Sequence, residues 1–69
     1  MSNQKINLTA RELQVLELMS QGNNSVEIAK SLYLSANTVE YHRKQLLRKT
    51  GARNAAHLMS FAFRHRLLS

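Results

Sequence analysis

Sixty-nine residues without a cysteine allow one small domain held by a single apolar core, since neither a disulfide framework nor a thiolate metal site can supplement it. Ten Lys and Arg against four Glu give a net charge of +6, divided unevenly: residues 1–40 carry three cations and four anions, residues 41–69 seven cations and no anion. With no Asp, dispersed Glu residues, no nucleotide-binding glycine loop, and His42, His57 and His65 off metal-ligand spacing, no enzyme, metal site or cofactor is expected, whereas the basic half suits a polyanion such as duplex DNA.

In chain order, residues 1–7 are polar and unpatterned and are expected to be a flexible segment, leaving residues 8–69 as the domain. No stretch approaches the roughly 18 apolar residues that a bilayer span needs, so the chain reads as soluble, with no membrane partner. Thr9-Ala10-Arg11-Glu12 has the form of a capping box, in which the Thr9 and Glu12 side chains satisfy each other's free backbone N–H groups. It predicts a helix from Ala10 to about Gln21, with Leu8, Glu12, Val15, Leu16 and Met19 on one stripe and Gly22 closing it. Asn24-Ser25-Val26-Glu27 repeats the logic and starts a short helix over Ser25 to Leu32, with Ile28, Ala29 and Leu32 apolar. A helix that short is marginal alone and must pack on neighbours.

Tyr33-Leu34-Ser35 then connects to a third helix, about Ala36 to Lys49, capped by Ser35 and ended at Thr50-Gly51. A short helix, a tight turn and a longer basic helix make the helix-turn-helix pattern. Asn54 caps a fourth helix of about Ala55 to Arg66. Its Leu58, Met59, Phe61, Ala62 and Phe63 are apolar around more than one face, which predicts a second partner for one side. The expected fold is therefore all-α, with four helices.

Helical periodicity places Val39, His42, Arg43, Leu46 and Thr50 within about 60° of one direction in the third helix, and Asn37, Tyr41, Lys44 and Arg48 opposite. Val39 and Leu46 mark the buried side. His42, beside them, reads as a packed, hydrogen-bonded core residue. The opposite face carries groups that hydrogen-bond to base edges and phosphates, and a major groove about 12 Å wide admits one helix. The turns near its N-terminus approach bases, which assigns Asn37, Glu40, Tyr41 and Lys44 to base readout. Arg43, Arg48 and Lys49 suit phosphate. Glu40 cuts against simple electrostatics: either it accepts from a cytosine amino group, or a neighbour such as Lys44 at i+4 holds it, and the intrahelical pair is favoured.

These residues resemble the LuxR/GerE-type helix-turn-helix domain over Leu8 to Leu68. The likeness rests on Leu8-Thr9-x-Arg11-Glu12, Val15-Leu16-x-Leu18, Gly22, Glu27-Ile28-Ala29-x-x-Leu32, Leu34-Ser35, Thr38-Val39-x-x-His42 and Lys49-x-Gly51-x-Arg53-Asn54 in that order. The resemblance implies a four-helix output module of a bacterial transcription regulator in the cytoplasm, bound as a homodimer to inverted-repeat sites in double-stranded DNA. Glu40, Tyr41 and Lys44 would face bases, and Met59, Ser60 and Phe63 would join the two subunits. Ser35, Thr38, Arg43, Arg48, Lys49 and Arg53 are the expected DNA-backbone contacts, RNA polymerase is a further expected partner, and no small-molecule ligand is expected in this domain. The chain departs from the family where a basic residue often replaces Glu40, an apolar one Thr50, Val Ala52, Arg Ala55 and Gly Arg66. Thr50 and Ala52 accordingly suggest a thinner core below the third helix. The rival readings are RNA recognition, for which Tyr41 alone offers an aromatic platform, and a membrane-surface or partner-binding bundle that would use the fourth helix and leave Lys44 and Arg48 idle.

Overall fold

The computed structural model describes residues 6–68, so residues 1–5 of the expected flexible segment, and Ser69 at the end of the expected domain, lie outside the described residues. Four helices follow one another: α1 (Ala10–Ser20), α2 (Ser25–Leu32), α3 (Ala36–Thr50) and α4 (Ala55–Arg64), with no strand among the described residues. Each begins where a short polar side chain takes up free backbone donors. Thr9 Oγ1 accepts from the Glu12 amide at 3.0 Å while Glu12 Oε1 accepts from the Thr9 amide at 2.9 Å. Asn24 and Glu27 exchange the same bonds at 2.9 and 2.8 Å. Ser35 Oγ accepts from the Thr38 amide at 3.1 Å, and Asn54 Oδ1 from the His57 amide at 2.8 Å. Each cap is worth about 1 kcal/mol relative to alanine.

All four helices are followed by a residue in the left-handed region: Gly22 (φ 94°), Tyr33 (φ 60°), Gly51 (φ 73°) and Arg66 (φ 57°). After α1 the Gly22 amide reaches Met19 O and the Asn23 amide Leu18 O; after α4 the Arg66 amide reaches Phe63 O and the Leu67 amide Ala62 O. These are the paired bonds of the Schellman arrangement, which satisfy carbonyls left over at a helix end. They also close α4 at Arg64, two residues before the expected end, although no glycine marks the spot.

The core draws on every helix: Val15 and Leu16 from α1, Ile28 and Ala29 from α2, Val39 and Leu46 from α3, Leu58 and Ala62 from α4. Full burial of such a Leu, Val or Ile contributes roughly 1.5–3 kcal/mol over exposure. α3 packs against each of the other three helices and is the axis of the domain. Eight-residue α2 is held by Ile28 and Ala29, and the Leu34 amide donates to Ala29 O at 2.9 Å, so the turn into α3 is tied back to the helix before it. Thr50, expected to thin the core, instead finishes α3: its hydroxyl donates to Leu46 O at 2.8 Å and accepts from the Ala52 amide at 3.2 Å.

Among the described residues, one charged side chain lies inside this core. Glu12 is 4% exposed, and the Lys49 ammonium at the far end of α3 donates to its Oε1 at 2.8 Å and to Asn7 O at 3.2 Å. Burial pushes the Glu12 carboxyl up, but the hydrogen bonds from Lys49 and the Thr9 amide, with the Lys49 charge, outweigh it and hold the carboxyl below its ordinary value.

Candidate nucleic-acid interface

With Val39 and Leu46 at 0% exposure beneath it, α3 has a fixed rotation about its own axis. Asn37, Glu40, Tyr41, Lys44 and Arg48 are exposed on its outer side, while His42, Arg43 and Gln45 are half-buried along the flanks. Four residues assigned to base readout thus share the exposed surface of one helix. His42 is only partly covered, its ring meeting that of Tyr41 edge-on with centroids 5.6 Å apart, and it makes no side-chain hydrogen bond among the described residues; the core role expected for it reduces to this stacking.

Glu40 does not pair with Lys44. Its Oε1 lies 3.8 Å from Arg43 Nε, one turn on, and its Oε2 accepts a hydrogen bond from Ser25 Oγ at the start of α2. An i+4 pairing was expected from spacing alone, and the correction comes from α2, whose hydroxyl turns the carboxylate toward the α2 side. Lys44 is left with no carboxylate in ion-pair reach among the described residues, so its charge faces outward undivided.

The residues expected on the phosphate backbone occupy different situations. Ser35 Oγ and Thr38 Oγ1 stand 2.9 Å apart at the N-terminus of α3. That contact uses one of the two hydroxyl hydrogens and leaves the other for an outside acceptor. Arg48 is exposed and its guanidinium is oriented by Gln45 Oε1, with Nη2 at 2.5 Å and Nε at 3.2 Å, a contact the sequence reading had not singled out. Arg43 is half-buried beside Glu40 and shares its charge with that carboxylate. Arg53 is exposed just before α4, where its amide donates to His57 Nδ1 at 3.1 Å. Lys49 is placed differently from the other cations: its ammonium is drawn under α3 to Glu12 and Asn7.

In α4, Phe63 is 61% exposed and Ser60 is exposed, so both project from the domain. Met59, expected beside them, is half-buried, packs against the core and lines an open groove of about 340 Å³ with Met19, Gly22, Arg43, Ala55 and Ala56. The basic end of α4 carries Arg64 next to His65, whose ring stacks on Phe61 with centroids 4.1 Å apart. No group of three potential metal ligands occurs among the described residues, and no helix there is long and apolar enough to cross a membrane.

A capped helix pair around a tight turn, set in a four-helix core and presenting the polar and cationic side of its second member, defines a helix-turn-helix DNA-binding domain. The chain belongs to the luxR family of bacterial regulatory proteins, a family of DNA-binding regulators rather than enzymes, whose profile matches residues 6–62. It is 36% identical over 61 residues to the oxygen regulatory protein NreC of Staphylococcus aureus, covering 88% of this chain and 28% of NreC. Among solved structures it is similar to VqmA of Vibrio cholerae, a LuxR-type receptor described as a dimer in the absence of its target DNA. The TM-score is 0.89 at 31% identity, over 97% of this chain and 30% of VqmA. It is also similar to ChrA, the response regulator of a heme-sensing two-component system, with a TM-score of 0.84 at 28% identity over 99% of this chain and 33% of ChrA. The chain thus spans about a third or less of the length of these relatives. Neither the fold nor the relatives offer an argument for the RNA polymerase contact expected from the sequence.

Proposed function

We propose that this chain regulates transcription in the bacterial cytoplasm by placing α3 in the major groove of double-stranded DNA, two copies sharing an inverted-repeat site. The observation that carries the reading is the division of α3: Val39 and Leu46 lock one side into the core, and Asn37, Tyr41, Lys44 and Arg48 are left exposed on the other. Lys44 is suited to the guanine edge and Asn37 to adenine, while Arg48, held by Gln45, and the Ser35–Thr38 hydroxyl pair suit phosphate. Exposed Phe63 and Ser60 on α4 supply the surface for the second copy, and the dimeric state of VqmA supports that arrangement.

Titration of the chain with duplex DNA at two salt concentrations tests the first part. Release of condensed counterions requires affinity to fall as salt rises. Binding indifferent to salt, or a preference for single-stranded RNA, would refute the reading. For the second part, Phe63→Glu is expected to weaken binding to a duplex with two half-sites more than to one with a single half-site, because it sets two carboxylates against each other across the two-fold axis. Equal losses on both duplexes would remove α4 from the interface.

A further inference from the structure

Glu40 is an exposed carboxylate on the helix that the proposed reading turns toward a polyanion, where a free carboxylate is repelled. It is not free. Ser25 Oγ from α2 donates to one of its oxygens, and the Arg43 guanidinium stands 3.8 Å from the other. The two contacts act on different atoms and from different helices, and the Ser25 hydrogen bond turns the group to the α2 side while Arg43 offsets its charge. Each oxygen keeps an unused lone pair, because an ionised carboxylate offers about four acceptor directions. The Glu40 side chain remains 52% exposed, which leaves those directions open to solvent. Arg43, itself half-buried, neutralises the charge locally without covering it.

We propose that Ser25 is a positioning residue that, with Arg43, holds the Glu40 carboxylate ready to accept a hydrogen bond from a base amino group in the major groove, so that this chain selects cytosine at one position of its site. The proposal rests on the DNA-binding reading above and adds to it a base and a supporting residue. Cytosine presents an N4 amino donor at the major-groove edge, where guanine presents the acceptors N7 and O6, thymine the acceptor O4, and adenine an N6 amino donor set beside the acceptor N7, whose lone pair opposes a carboxylate. A carboxylate fixed in advance rejects the acceptor edges by repulsion and loses little freedom on meeting the donor, whereas a mobile one can swing away from either. The helix spacing alone would pair Glu40 with Lys44; the Ser25 contact is what turns it to the α2 side and leaves Lys44 to act separately.

The test is selection from a randomised duplex pool with wild type, Ser25→Ala, Ser25→Thr, Glu40→Ala and the double variant Ser25→Ala/Glu40→Ala. Thermal melting of each reports the fold. Wild type is expected to enrich cytosine over guanine at one position on the order of tenfold. Ser25→Ala is expected to lower that ratio several-fold at that position alone, with affinity for random duplex unchanged, and Ser25→Thr, which keeps the hydroxyl, to restore it. Glu40→Ala abolishes the preference, and adding Ser25→Ala to it changes nothing further. A merely structural Ser25 would shift all positions alike, and that outcome overturns the proposal, as does a cytosine preference that survives Glu40→Ala. A wild-type chain that retains no duplex at all overturns the DNA-binding reading together with this one; a chain that binds with an unaltered profile in Ser25→Ala overturns this one alone.

Discussion

Underneath α3 the Lys49 ammonium closes to 2.8 Å on a carboxylate with 5% of its side chain exposed, whereas on the outer side Arg43 Nε stands 3.8 Å from one that is 52% exposed. The same pairing of glutamate with a cation serves the fold in one place and the surface in the other. In the interior the attraction is little screened, and losing one partner strands a charge away from water. At the surface water and salt take most of the interaction, and such pairs contribute about 0–1 kcal/mol. A charge on this helix is therefore assigned by what surrounds it. Lys44, Arg48 and Lys49 are alike in sequence, and only the first two remain on the side away from the core.

The contrast can be broken most forcefully from below. Lys49→Met leaves Glu12 buried without its partner and is expected to lower unfolding stability by about 3 kcal/mol, the lower end for buried pairs because Lys49 is itself partly exposed. Urea denaturation measures this, and a change within 0.5 kcal/mol would mean that the pair holds nothing. The same pair sets an acid limb. Because the folded-state carboxyl of Glu12 titrates below its ordinary value of 4.5, its stabilisation is complete above the unfolded-chain value and is lost as pH falls through the folded one. Glu12→Gln should flatten that limb in a series of melts taken from neutral pH down through the carboxyl range.

From above, the effects move from stability to DNA. Lys44→Ala is expected to leave the melting temperature in place and to lower discrimination between specific and random duplex by about 1–2 kcal/mol. Equal weakening of both duplexes would make Lys44 a phosphate contact. Smallest is Arg48→Ala, expected to weaken all duplexes similarly and to reduce the steepness of the salt dependence by about one counterion. A variant that lost both folding stability and base preference would erase the distinction between the two sides of α3.

Much of this architecture is legible in the sequence because its signals are local. Thr9 with Glu12, Asn24 with Glu27, Ser35 and Asn54 each mark a helix start within three or four residues of chain, and Gly22 and Gly51 mark two ends. The end of α4 is not legible in the same way, because Arg66 adopts a glycine-like backbone without being glycine and the helix closes two residues before it. The candidate site was legible to the level of which helix and which face. What could not be read were the partners that tertiary packing supplies: Glu12 and Lys49 are 37 residues apart, and Ser25 and Glu40 are 15. Periodicity offered Glu40 only neighbours from its own helix, and it placed Lys49 by charge type without knowing that a buried carboxylate lay beneath. Met59 shows the same limit, since an apolar residue on a helix with two apolar sides gives no sign of which side the core takes.

Tyr33 joins α2 to α3 with φ 60° and 95% of its surface in water. A residue with a Cβ gives up roughly 1–2 kcal/mol to hold that conformation, and its ring recovers none of this by packing. Glycine at this point would relieve the backbone while removing no buried contact, so the domain has room to become more heat-resistant at the very joint that sets one helix against the other. The joint is stiffened by Leu34 behind it rather than by the ring in front, which leaves the phenol open to chemical labelling as a reporter beside α3.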